Sequence, residues 1–370
     1  MDSFPPSTVF DGYASEELEH ALSIQFTPIE PRYLHQLRDE LQGIACRFGT
    51  NAPEVCSPRK GVLPQSLQPQ QKDVFNAVLW PQYAEGYAEA QSELLTVPIA
   101  ESRDRMTDLF SVLHEREAWF TYSKVPLHPA CEPTEHQQRV MWMRSDVAHS
   151  VALVFRALND IGLMAHVEDC WRPPKVQKGL FLRRVVDTAR GNTHWSWQHV
   201  KAMSSSLTAP APGFAGHQAG TAVDWVLRKR SREVGEQTFL DEGNVYPEGG
   251  AVSSEHFPYL TFEQFRTRLI FLFSARMGGF KTLPTEHWHM SRGDRGMVGH
   301  TPVHRAIYGP IKNFSRSTGE VEPYDPAAVD QCFFTDAQIE RLVILSRQGG
   351  EDGSPLSYAE LLEAVHRAHS

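Results

Sequence analysis

Several things are scarce in this 370-residue chain. It has no run of about 18 apolar residues, so no membrane-spanning helix and no membrane partner are expected. Positive charge is in the minority, with 36 Lys and Arg against 45 Asp and Glu and a net charge of -9. A nucleic-acid binder would normally carry a basic stripe, so no nucleic-acid partner is expected. The five cysteines (Cys46, Cys56, Cys131, Cys170 and Cys332) are scattered and form no CxxC. They read as reduced thiols in a cytoplasmic protein rather than a disulfide framework. Met1 to Pro6 lacks a basic start followed by an apolar stretch, so no Sec-type leader is expected and the location expected is cytoplasmic. There is no internal repeat.

What remains is the composition of a globular protein, 41% hydrophobic and 22% charged. The length suggests about two domains, or one with long extensions. Residues 1–135 are rich in Pro and Gln. Glu16 to Ile24 and Tyr33 to Phe48 suggest helices and Arg59 to Gln71 a loop, with no chemical motif among them. From about residue 140 the pattern sharpens. Val147, Val151, Val154, Phe155 and Leu158 fall at helical spacing, and Gly162 stops that helix. Leu163 to Glu168 follows as a strand. Pro173 and Pro174 interrupt any helix there, and Val176 to Ala189 resumes helical character. Thr208 to Gly216 reads as a loop and Ala222 to Leu227 as a strand. Thr261 to Gln264 resembles a capping box opening a helix with Phe265, Leu269, Leu272 and Phe273 on its apolar face, ended by Gly278-Gly279. Thr335 to Gln338 and Ser357 to Glu360 cap two further helices. The Gly349 to Gly353 linker between them resembles a calcium loop only weakly, because carboxylates are missing at its first and third positions.

The chemistry concentrates in two short segments. One runs from Gly216-His217 to Asp224, and the other is Glu286-His287-Trp288-His289. Two imidazoles and a carboxylate suit a catalytic zinc ion, because three protein ligands leave a position open for water. His217, Asp224 and His289 are the candidate ligands. His217 and Asp224 lie seven apart and would face opposite ways in one straight strand, so a turn or bulge near Gly220 is expected. Glu286 is the candidate general base. His287 and His289 are two apart and face the same way on an extended segment, so periodicity does not decide which of them binds the metal. Arg172 is the candidate electrophilic group for a developing oxyanion, and Gln177 could orient it or bind substrate. His166, His194, His199 and His256 read as structural or surface residues.

The chain resembles the zinc D-alanyl-D-alanine dipeptidases and carboxypeptidases, in the group that includes lysostaphin-type enzymes and the hedgehog domain. Their Ser-x-His-x-x-Gly-x-Ala-x-Asp pattern matches Ala215 to Asp224, and Glu-x-Trp-His matches Glu286 to His289. Their Tyr-Arg, with a Gln five residues after the Arg, matches Trp171-Arg172 and Gln177. Tyr259 to Phe265 and Met277 to Phe280 are also similar to the dipeptidase branch. The resemblance covers roughly residues 140–300. It implies an α+β fold with a central antiparallel sheet carrying one zinc ion, bound by His217, Asp224 and His289 rather than His287. It further implies Glu286 as catalytic base, Arg172 as transition-state stabiliser, and a short peptide such as D-Ala-D-Ala as substrate. Gln177, Trp171, Ala215 and Trp288 are the substrate-binding candidates. Ala215 stands where the pattern has serine, and Trp171 where it has tyrosine; neither is a metal ligand or the base. The expected organisation is an N-terminal extension (1–135), a catalytic domain (136–305) and a C-terminal helical extension (306–370). A muropeptide or other modified peptide is the alternative substrate, and a non-catalytic zinc-containing binding protein the alternative class.

Overall fold

The computed structural model describes residues 94–124, 139–229, 239–255, 260, 262–298, 305–348 and 354–367, with Trp80, Pro81, Ala84, Tyr87 and Gln91. The expected helices before residue 50, the loop at 59–71, His256, the cap residue Thr261 and the 349–353 linker lie outside them.

In chain order the first elements are β1 (Met106–Asp108), α1 (Leu109–Glu115), β2 (Phe120–Tyr122), β3 (Trp142–Arg144), α2 (Ser145–Asp160) and β4 (Leu163–Asp169). Then come α3 (Pro174–Gly191), α4 (Trp197–Ser205), the single turn α5 (Gly216–Ala219), β5 (Ala222–Lys229) and α6 (Phe262–Met277). The chain continues through β6 (Lys281–Leu283), β7 (Glu286–Ser291), α7 (Arg295–Val298), β8 (Ile311–Phe314), β9 (Val321–Pro323), α8 (Asp336–Arg347) and α9 (Tyr358–Arg367). Among the described residues no helix is long and apolar enough to cross a membrane.

Five strands form the central sheet in the order β2-β4-β5-β7-β6. Three of its four pairings are antiparallel, as expected. The fourth, β2 beside β4, is parallel and corrects an all-antiparallel expectation. The β2 strand also comes from before residue 135, so the segment set apart as an extension supplies an edge of the sheet. Helices and a mainly antiparallel sheet together make a mixed α+β architecture.

Alternation along β5 explains how the sheet faces are used. Val223, Trp225 and Leu227 enter the main apolar core, while Asp224 between them points to the other face. Trp225 stacks on Phe271 of α6 at 4.2 Å and meets Phe155 of α2 edge-on at 5.4 Å. The helical face read from sequence on α2 (Val147, Val151, Val154, Phe155 and Leu158) is fully buried there. Gly162 ends that helix at φ 78°. The α3 helix begins earlier than Val176: Pro174 sits in its first turn, where a missing N–H removes no intrahelical bond.

A second apolar cluster joins α3 and α4 to the C-terminal helices through Phe181, Val185, Val200, Phe334, Leu342 and Leu361. Both expected caps are formed: Thr335 Oγ1 accepts from the Gln338 N–H, and Ser357 Oγ from the Glu360 N–H.

Candidate metal centre

Strand register assembles the site. Asp169 on β4 lies opposite Asp224 on β5, and Asp224 lies opposite His289 on β7. Three acidic or imidazole side chains thus form one row across three adjacent strands. His217 arrives from outside the sheet, on the single turn α5. The segment before Gly216 reads as loop and includes a short 3₁₀ turn, but His217 itself is helical. Gly220 ends that turn in the left-handed region at φ 71° and redirects the chain into β5. The expected turn near Gly220 is therefore present, and it lets residues seven apart converge.

Asp224 Oδ1, His217 Nε2 and His289 Nδ1 form a nearly equilateral triangle with sides of 3.0, 3.1 and 3.2 Å. All three residues are buried, and together they could hold a metal ion. Four-coordinate tetrahedral bonding at about 2.0–2.1 Å would set ligand atoms about 3.3–3.4 Å apart, so the triangle fits one face of such a centre. Its polarity fits as well. His217 Nδ1 lies 2.5 Å from the Cys170 carbonyl, which can only accept, so that nitrogen carries the proton. The neutral ring then turns a bare lone pair on Nε2 toward a carboxylate oxygen. Burial, and then the Arg172 charge, hold this imidazole below its ordinary range, so a second proton is disfavoured. A cation between the acceptors removes the conflict, and the bond to the Cys170 carbonyl fixes the ring as such a ligand needs.

The second carboxylate oxygen of Asp224 is also occupied. It accepts from Arg172 Nη2 at 2.9 Å and from the Tyr246 hydroxyl at 3.2 Å. Arg172 in turn donates from Nε to Asp169 at 2.5 Å, and its Nη1 lies 3.5 Å from Gln177 Oε1. Burial opposes the guanidinium charge, but Asp169 and Asp224 outweigh it and hold its pKa above the ordinary value. Arg172 is thus locked between two carboxylates, with Nη1 directed toward Gln177.

Glu286 borders two cavities. The smaller, about 60 Å³, is also lined by His217, His289, Arg172, Gln177 and Ala215. The larger, about 450 Å³, is lined by Arg172, Asp224, Tyr246 and Trp288. Glu286 and Arg172 line both. Burial, and then the Asp224 charge, push the Glu286 carboxyl up to about 7. A nearby cation would favour its ionised form, the form a base requires.

The two neighbouring histidines separate. On one strand they are about 6.6 Å apart along the chain, and they meet different partners. His289 faces Asp224, whereas His287 Nε2 lies 2.9 Å from Glu242 and Nδ1 lies 3.3 Å from the Ser253 carbonyl. Trp171, a substrate-binding candidate, lines neither cavity; it packs edge-on against Phe314 in a small apolar cluster. His166 bonds Thr121 at 2.7 Å, and His194 and His199 flank Trp195, all apart from the metal-ligand group.

Three contributors escape a reading of the sequence. Asp169 carried a weak signal, an Asp three residues before Arg172. Tyr246 and Arg144 carried none. Arg144 is fully buried, ion-pairs with Glu101 at 3.0 Å and donates from Nε to the Ala219 carbonyl at 2.9 Å. It thereby anchors the turn that bears His217.

No protein-family model matches the chain, and no curated protein matches it either.

Proposed function

We propose that this chain is a zinc-dependent peptidase that hydrolyses D-Ala-D-Ala or a related short peptide containing D-amino acids. The reading rests on one observation: the buried His217-Asp224-His289 triangle opens onto cavities that Glu286 and Arg172 both line. Zinc held by His217 Nε2, Asp224 Oδ1 and His289 Nδ1 would act as a Lewis acid that acidifies water and polarises a carbonyl. Glu286 takes the proton of the attacking water and delivers it to the leaving amine. Arg172, kept charged by its two carboxylates, stabilises the negative charge that grows on the carbonyl oxygen. Gln177 holds the Nη1 side of that guanidinium. The order and spacing of these residues resemble the D-Ala-D-Ala metallopeptidases, which supports the substrate class. Ala215 in the wall of the smaller cavity offers no hydroxyl and favours, as a second reading, a muropeptide or other modified peptide cut by the same mechanism.

The test pairs metal content with turnover. The expected result is one zinc per chain, alanine released from D-Ala-D-Ala by the wild type, and zinc retained without release in Glu286→Ala. Normal turnover in Glu286→Ala would sink the proposed base. No release from a short-peptide panel by zinc-loaded wild type would sink the peptidase reading.

A further inference from the structure

Gln177, Leu180 and Arg184 fall on one face of α3 at helical spacing. Gln177 lines the smaller cavity, and Leu180 and Arg184 line the larger. Gln177 meets Arg172 and Leu180 packs on Val176. Arg184 differs, because its guanidinium makes no hydrogen bond or ion pair with the described residues. The nearest helical carboxylate, Asp187, is already committed. Its oxygens accept from Arg183 Nε at 3.1 Å and from the Tyr358 hydroxyl at 2.5 Å. Glu286 across the cavity favours the Arg184 charge but forms no ion pair with it, and burial lowers its pKa.

Space is kept for this group. A side chain at Gly249 would come within 3.2 Å of Arg184 Nη2 and 3.1 Å of Leu207 Cδ1. The bare backbone there accommodates the guanidinium. The Arg184 side chain is half-buried and leaves its donors unused by the described residues, and guanidinium binds carboxylate as a planar fork. The cavity's volume, about 450 Å³, falls within the range of small-molecule sites, about 300–1,000 Å³.

We propose that Arg184 is the anchor for a carboxylate of the peptide substrate, seated in the larger cavity beside Glu286 and Trp288. This rests on the peptidase reading and deepens it. The carboxylate is either the C-terminal α-carboxylate, which would make the enzyme exo-acting, or an acidic side chain next to the scissile bond. Lys281, which with Arg172 lines the smaller cavity, is the competing anchor.

Binding, rather than turnover, tests this. Zinc-loaded Glu286→Gln protein is titrated calorimetrically with N-acetyl-D-alanyl-D-alanine, with its C-terminal amide, and with N-acetyl-D-alanyl-D-glutamic acid α-amide. The expected result is at least tenfold tighter binding of one acid probe than of the neutral amide. That preference should fall to within twofold when Arg184→Ala is added, and persist in part with Arg184→Lys. Which acid is preferred identifies the carboxylate. A preference that survives Arg184→Ala, one that disappears with Lys281→Ala instead, or the lack of any acid preference overturns the assignment. Arg184-independent binding beside normal peptide hydrolysis removes the anchor and leaves the peptidase. Arg184-dependent binding without wild-type hydrolysis removes the peptidase and leaves the anchor.

Discussion

Replacing Asp169 with asparagine probes how the site is held together. Asp169 is fully buried, lines neither of the two cavities and is not among the metal-ligand group. Its Oδ2 accepts from Arg172 Nε at 2.5 Å, and its Oδ1 accepts from the Cys170 N–H at 3.0 Å. Asp169→Asn keeps the shape and removes one of the two negative charges that flank Arg172. The other, Asp224, lies 2.9 Å from Nη2 and remains. Breaking a buried ion pair by removing one partner costs about 3–5 kcal/mol, and the remaining carboxylate places this case at the lower end, about 3 kcal/mol. The loss should appear as a lower urea midpoint. Because the three ligand atoms are untouched, zinc stoichiometry should stay at one per chain. Arg172, held from one side only, should position less well, and kcat/KM should fall about 10–100-fold, as is usual when a supporting residue of a metal site is lost. Stability and kcat/KM both within twofold of wild type would refute the claim that Asp169 positions Arg172.

Gly220→Ala places a side chain at φ 71°, 2.7 Å from Met106 Sδ. It should cost at least about 1–2 kcal/mol and weaken zinc binding, because His217 lies on the turn that Gly220 ends; unchanged zinc affinity by competition with a chelator would count against this. Arg144→Met leaves Glu101 without its buried partner at 3.0 Å and frees the Ala219 carbonyl. A loss of about 3–5 kcal/mol is expected, read by urea unfolding together with weaker zinc binding; full stability would show that the turn is held otherwise. Lys281 has a pKa lowered from 10.5 to about 8, mainly by burial. The folded state therefore binds fewer protons than the unfolded state between about pH 8 and 10.5, so its contribution makes stability rise with pH across that window. Lys281→Met should stabilise the fold at pH 7 by up to about 3 kcal/mol. That gain should fade above about pH 10, and a gain independent of pH would contradict the assignment.

The residues of the candidate metal centre were legible because each sits in a short segment whose chemistry is local. His217 to Asp224 and Glu286 to His289 announce themselves by residue type and spacing. The helix on Val147 to Leu158 and both C-terminal caps were legible for the same reason, since periodicity and caps involve neighbours in sequence. What could not be read depends on register between distant strands. Of His287 and His289, the register brings His289 opposite Asp224, and Glu242 takes the other. Trp171 had the place of a substrate contact in the sequence, but apolar partners contributed by Val140 and Phe314 draw it into a packing cluster. The parallel β2 strand is only three residues long and has no period to detect. Asp169, Tyr246 and Arg144 act across the fold, and nothing beside them in sequence names their partners.

The C-terminal helices acquire a role from the two faces of α3. One face contributes Phe181, Val185 and Ala189 to the cluster shared with Ile339, Leu342, Leu361 and Val365. An adjoining face carries Gln177, Leu180 and Arg184 to the cavities. Burying each large apolar side chain stabilises that packing by about 1.5–3 kcal/mol. The position of the cavity wall is therefore supported by apolar burial on the adjoining face. This division matters for Arg184, which has no hydrogen-bond or ion-pair partner among the described residues and relies on its helix for position. It also ties the C-terminal helices, which add nothing to the His217-Asp224-His289 group, to the site: without α8 and α9, the apolar face of α3 would lie open to water, and the wall beside Glu286 would lose that support.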